Sequence, residues 1–271
     1  MSTDTLVMSP PAVAVERRSW ARDVRTVMVR ELRPVRHEPF SLVFGLVQPL
    51  VFLGLFGPLL VGSVGGTQAL GGADVWQWFV PAILVMTTLF GTSTTGSNLQ
   101  FEMQTGAHER LLVTPLARSA QLVGRSLKEM VPVVAQGLVV VLVMLPFGFR
   151  VDPLGGPLGL LLLALLGVGL GSLSYALAVA VRRQEWMFWM VQQTVLFPAM
   201  ILSGMLLPLE QGPRWMQAAA AVNPVAYVVD AERALLAGDV GTTALQGFVA
   251  AALTAALGLA VGIRTLVRSA D

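Results

Sequence analysis

Residue types that commonly carry catalysis are scarce in this chain. It has two histidines, His37 and His108, a single lysine, Lys128, and no cysteine. Neither histidine has a His or Glu placed as on a zinc-binding helix, no G-x-S-x-G elbow occurs, and the lack of thiols excludes disulfides and thiolate metal sites. A phosphate-cradling G-x-x-x-x-G-K-[ST] loop needs a lysine after glycine, and Lys128 follows Leu127. The chain is therefore not expected to bind ATP, a metal or an organic cofactor. If ATP powers it, another polypeptide binds the nucleotide and its magnesium.

Two sets of polar residues remain. The first is small, uncharged and set in apolar surroundings: Thr88, Thr92 and Thr95 on one helical face, then Gln136, Gln192 and Ser203. Met200 and Met205 add a soft apolar surface that repacks easily. Such residues serve either helix packing or the lining of a route for a greasy substrate, and the pattern admits both. The second set is an island, TGAHERLLVTPLARSAQLVGRSLKE at residues 105–129, which carries Arg110, Arg118, Arg125 and Lys128 between long apolar stretches.

The elements that position these residues follow from composition. The chain is 55% hydrophobic and 13% charged, with a mean hydropathy of +0.71, which predicts an all-α integral membrane protein. At about twenty residues per crossing, six spans are expected, at 41–61, 77–98, 130–149, 157–181, 187–207 and 245–267. Both termini, the island and the 182–186 turn then share one side. That side holds fifteen basic residues: seven before the first span, four in the island, two in the turn and two at the end. The other side holds three, Arg150, Arg214 and Arg233. The asymmetry places the termini and the island in the cytoplasm and the chain in the cell membrane. It also accounts for a pI near 9.7 without nucleic acid, because the cations are spread along the chain.

Residues 1–15 read as a disordered cytoplasmic tail and 16–40 as an amphipathic helix on the inner membrane surface. Trp20, Val24, Val27, Met28 and Leu32 share its apolar face, and Pro34 and Pro39 end it. Within the six-span domain, 41–271, residues 208–243 form an external hairpin. Pro213 opens its first helix, Asn223 and Pro224 start the second, and Gly238 ends that one. Both short helices are expected to dip into the outer leaflet with their charges in water.

The island reads as a short helix at about 101–114, a break at Thr114 and Pro115, and a second helix leading into the third span. Its cations, at roughly 2.5–3.5 kcal/mol each at a bilayer centre, keep it out of the membrane. Leu111, Leu112, Val113 and Leu116 form an apolar centre rimmed by Glu102, Glu109, Arg110 and Arg118, a surface suited to docking on a protein.

With these residues in view, the chain resembles the membrane subunits of type-2 ABC exporters, in particular the daunorubicin-resistance-type permeases. RELRPVRHEPFSLVFGLVQPLVFLGLFG is similar to that family's basic elbow helix and first span. FEMQTGAHERLLVTPLARSAQLVGRSL is similar to its E-x-x-x-G-x-x-E-R-L-L-x-T-P segment, with Glu102, Gly106, Glu109, Arg110, Leu111, Leu112, Thr114 and Pro115 in place; Ala107 and His108 depart from the commoner Thr-Leu. LSGMLLPLE and NPVAYVVDAERALLAG resemble the end of span five and the second external helix. The resemblance implies that Glu102, Gly106, Glu109, Arg110, Leu111, Leu112 and Pro115 belong to a coupling helix seated in a groove of a separate ABC ATPase subunit. It implies a second permease subunit, identical or not, in the lipid bilayer. It also implies export of an amphiphilic drug, antibiotic or lipid-like metabolite, with Thr88, Thr92, Thr95, Gln192, Met200 and Ser203 as candidates for the route. A glycan exporter of the same superfamily and a membrane scaffold without transport are the alternatives. A proton-coupled antiporter fits less well, since the spans hold almost no ionisable residues.

Overall fold

The computed structural model describes residues 19–37, 39–63, 74–106, 116–182, 184–209 and 212–268, and among these it is all-helical. Ten α-helices follow in order: α1 Trp20–His37, α2 Pro39–Ser63, α3 Val75–Gln104, α4 Arg118–Lys128, α5 Met130–Met144, α6 Gly155–Ala180, α7 Glu185–Ile201, α8 Arg214–Ala221, α9 Pro224–Leu236 and α10 Thr242–Arg268. Five segments are long and apolar enough to cross a membrane: 45–62 within α2, then α3, then α4 with α5, then α6 and α10. They cover five of the six expected spans. The remaining one, expected at 187–207, is the 17-residue α7, which turns at Leu202.

Several boundaries differ from expectation for local reasons. Of the short helix expected at about 101–114, Phe101 to Gln104 complete α3, a continuous helix of 30 residues, and residues 107–114 lie outside the described residues. Nothing before Gly106 interrupts it, and Gly106 ends it with a φ of +70°, the left-handed value that glycine adopts without steric cost. Pro34 does not end α1, which runs on to His37, while Pro39 opens α2. Beyond Gly106, Glu109, Arg110, Leu111, Leu112 and Pro115 lie outside the described residues, as does the tail 1–18.

The centre is built on α3 and α6, the two most buried of the candidate spans. Phe79, Ile83, Leu84 and Met86 of α3 and Leu162, Leu163 and Leu166 of α6 are almost wholly enclosed. The helices approach to backbone distance at Gly96, whose N–H donates to Ser174 Oγ at 3.0 Å; a Cβ there would lie 2.5 Å from the Ser174 carbonyl oxygen. On the other face of α6, a Cβ on Gly258 of α10 would lie 2.3 Å from the Gly169 carbonyl oxygen. Such close contact between small residues lets helices associate when lipid is as apolar as leucine.

The amphipathic α1 has a partner that its sequence did not reveal. Val24 and Val27 are buried against Gly124 of α4, Trp20 Nε1 donates to Ser119 Oγ at 3.1 Å, and the Asp23 carboxylate accepts from the Ala117 N–H at 3.4 Å. What buries the apolar face is a second amphipathic helix, the half of the island that follows Pro115. Trp20, Val29 and Arg30 stay exposed and leave an outer flank open.

Candidate functional site

At the end of the molecule that carries α1 and α4, four helices meet around one cation. Arg125 of α4 is nearly inaccessible, with 5% of its side chain exposed. Its Nη2 lies 3.4 Å from Glu31 of α1 and 2.5 Å from Glu102 of α3, and its guanidinium faces the Tyr175 ring of α6 at 6.0 Å. Lys128 sits 3.8 Å from Glu31 and 3.6 Å from Glu129. Glu129 is buried at the joint between α4 and α5, where it accepts from Tyr175 Oη at 3.4 Å and hydrogen-bonds Thr95. An apolar floor of Leu99, Leu122, Tyr175, Phe188 and Leu266 lies beneath. Arginine suits the position because its planar fork serves two carboxylates at once while remaining charged.

This arrangement revises the part given to Glu102. It is not a free rim residue waiting for a partner; it is bound within the chain, and Arg125 ties the residue just before the 107–115 segment to the helix just after it. Arg125 and Lys128 are likewise enclosed rather than displayed. Gly106 is placed at the turn entering the segment. Sequence reading missed Glu31, Arg125, Glu129 and Tyr175. Three of these are acidic or basic residues on predicted helices, where a solvated face is the ordinary expectation, and their pairings span up to 94 positions.

The small uncharged set within the apolar segments is divided by the structure. A cavity of about 300 Å³ opens among α3, α6 and α7, lined by Thr92, Ser93, Ser174 and Gln192 within a mostly aliphatic wall. Thr92 and Gln192 thus come together, and the Gln192 Oε1 is buried without a hydrogen-bond partner. Thr88, Thr95, Met200 and Ser203 are not among the lining residues. Thr88 gives its hydroxyl to the Leu84 carbonyl at 3.2 Å and packs its methyl toward α6 near Gly167. Thr95 belongs to the charged base, Met200 to the core, and Ser203 to the turn after α7, donating to the Met200 carbonyl at 2.7 Å.

At the opposite end, α8 and α9 form the hairpin read from the sequence. Asn223 accepts from the Val225 N–H at 3.1 Å as the N-cap of α9, and Gly238 closes that helix at a φ of +89°. Two pins hold the hairpin down. Asn223 Nδ2 donates to the Ala199 carbonyl near the end of α7 at 2.7 Å. Arg233 donates to the Trp78 carbonyl at 3.1 Å and to the Gly204 carbonyl at 3.0 Å, with its guanidinium 4.1 Å over the Trp78 ring. One expectation fails here: the charges do not all stay in water. Glu232 is wholly buried beside Gly159 of α6, and neither of its carboxylate oxygens has a partner. Burial pushes its pKa up to about 8, because the low-dielectric surroundings penalise the charged form.

A helical bundle with five segments apolar enough to cross a membrane, a charged base and a polar-lined cavity among its helices is the build of a multi-pass membrane protein, and the chain belongs to the ABC-2 type transporter family, which it matches over residues 22–237. It is 29% identical over 220 residues to the daunorubicin resistance ABC transporter permease protein DrrB1 of Streptomyces coeruleorubidus, covering 80% of this chain and 75% of that one. It is 28% identical over 203 residues to the transport permease ycf38 of Cyanophora paradoxa, covering 74% and 69%. It is 24% identical over 170 residues to the multidrug ABC transporter permease YbhR of Escherichia coli K12, covering 60% and 45%.

Proposed function

We propose that this chain is the permease subunit of an ATP-driven exporter that moves an amphiphilic compound such as a drug, antibiotic or lipid-like metabolite out of the cell. A separate ABC ATPase supplies the energy, and a second permease subunit completes the pathway. The chain crosses the cell membrane six times with α7 as the fifth crossing, its termini and island in the cytoplasm, and the α8–α9 hairpin dipping into the outer leaflet. The segment about 101–114 is where the ATPase engages, through Glu109, Arg110, Leu111 and Leu112.

One observation carries this reading beyond family membership. The two flanks of the 107–115 segment are clamped by the Glu102–Arg125 pair, with Glu31 of α1 on the same guanidinium. A push on a segment fixed at both ends is delivered to α1, α3 and α4 together instead of being absorbed by a slack loop. Rigid-body movement of packed helices is one of the recurrent ways a local force becomes a change of state. The cavity holding Thr92 and Gln192 supports a route for a mostly apolar cargo with few polar groups, the usual make-up of a small-molecule site.

The test is co-purification with the cognate ATPase and stimulation of its turnover by the permease. Glu109→Arg and Leu112→Asp are each expected to release the ATPase while the membrane protein still inserts. Unchanged co-purification would remove the coupling assignment, and no partner binding by the parent chain would remove the transport reading altogether.

A further inference from the structure

Beside the charged base, the final turns of α6 and α10 border an open cavity of about 490 Å³ that none of the roles above uses. Along both helices apolar residues enter the lining first and arginines last: Val179 and Ala180 before Arg182, and Val261 before Arg264 and Arg268. Among the described residues no carboxylate lines it. Thr265, the remaining lining residue, donates its hydroxyl to the Val261 carbonyl at 2.9 Å, so the donors on which a ligand would draw are the guanidinia of Arg264 and Arg268. Among the described residues neither Arg264 nor Arg268 forms an ion pair. They stand four residues apart on one helix, a spacing at which like charges repel. The C-terminal dipole of α10 offsets part of that repulsion, and an anion held between them would offset the rest.

We infer that this cavity binds the phosphate-bearing headgroup of an anionic phospholipid from the adjacent leaflet, with an acyl chain against Val179, Ala180 and Val261. Guanidinium forks match phosphate oxygens pairwise, and basic pockets between membrane helices are the usual seat of such headgroups. Inorganic phosphate shares the headgroup chemistry but gains nothing from the apolar half of the cavity. The ordering from apolar to cationic along both helices therefore favours a lipid. This inference rests on the membrane placement of α6 and α10 and not on the transport assignment, so its test needs neither ATPase nor cargo.

Native mass spectrometry of the full chain, released from detergent after addition of dioleoyl phosphatidylglycerol or dioleoyl phosphatidylcholine, reads the site directly. The parent chain is expected to retain phosphatidylglycerol with a preference of about thirtyfold, the effect of two surface-proximal arginines. Arg264→Gln with Arg268→Gln is expected to bring the two lipids near parity, whereas Arg150→Gln with Arg214→Gln, at the opposite end, retains the preference. Equal retention of both lipids by the parent chain, or the same loss in both double variants, overturns the site. Displacement of phosphatidylglycerol by millimolar inorganic phosphate overturns the lipid assignment in favour of a free anion. Should the glutamine pair fail to fold, Arg268→Gln alone is expected to lower the preference severalfold, and an unchanged preference in it overturns the site equally.

Discussion

The two ends of this molecule bury charge in opposite ways. At the base, Arg125 is enclosed with two carboxylates on its guanidinium and an aromatic ring beside it. At the cap, Glu232 is enclosed with nothing on either oxygen, while its neighbour Arg233 donates to two backbone carbonyls and to the Asp230 carboxylate and lies over Trp78. A buried charge with compensating partners fixes the positions of the elements that bring them. A buried carboxyl without them avoids the cost of desolvation by holding its proton. The Arg125 node of the base is therefore held in one arrangement by its two carboxylates, and the cap is built with a group whose charge state is close to changing.

The contrast breaks most sharply at Arg125. Arg125→Met leaves Glu31 and Glu102 facing each other without a cation, and removing one partner of a buried network costs roughly 3 kcal/mol here, the lower end of the range because Glu102 keeps some access to water. Thermal unfolding in detergent and ATPase stimulation should both fall. A variant that melts like the parent would mean the node holds nothing together.

The cap is tested by pH. The folded Glu232 keeps its proton up to about pH 8, whereas an unfolded glutamate loses it near 4.3. Across that window the folded state binds the extra proton, so stability is greatest below the unfolded value and declines as pH rises, levelling above the folded one. Between pH 6 and 8 the loss is roughly 2 kcal/mol, read as a falling melting temperature. Glu232→Gln should flatten the profile and melt higher at pH 8; a parent profile without slope would show that the carboxyl is solvated or paired.

Asn223→Ala is the next smaller effect. It removes a helix cap and the bond to the Ala199 carbonyl, about 1 kcal/mol, and should loosen the hairpin as judged by faster amide exchange in α9. A last test separates Thr92 from Thr88 by cargo preference. Thr92→Phe should shift that preference as well as lower stability, since Thr92 lines the cavity while its methyl packs toward Gly167 of α6. Thr88→Phe should instead lower stability with preference unchanged, since Thr88 is packed against α6.

Elements with local signatures were legible in the sequence. Hydropathy located five of the candidate spans, and Asn223, Pro224 and Gly238 marked the hairpin helix to the residue because a cap and a left-handed terminus are decisions of a few neighbouring residues. What escaped was long-range pairing. The face of α1 carrying Val24 and Val27 announces that it must be buried, but not that α4 buries it instead of the bilayer. Glu102 and Glu232 look alike in the sequence, each an acid within the last turns of a helix. One found Arg125 and the other found Gly159, and no periodicity distinguishes those outcomes.

The length of α3 has a geometric consequence. At 1.5 Å per residue its 30 residues extend about 45 Å, half as long again as the roughly 30 Å hydrocarbon layer. Its tightest crossing with α6 is at Gly96, which divides it unequally: about 12 Å of helix toward Gln104 and about 31 Å toward Val75. A helix turning there as a rod would multiply travel by about two and a half. Each ångström of displacement beside Glu102 would then become two to three at Trp78, less whatever bending Pro81 on the longer arm absorbs.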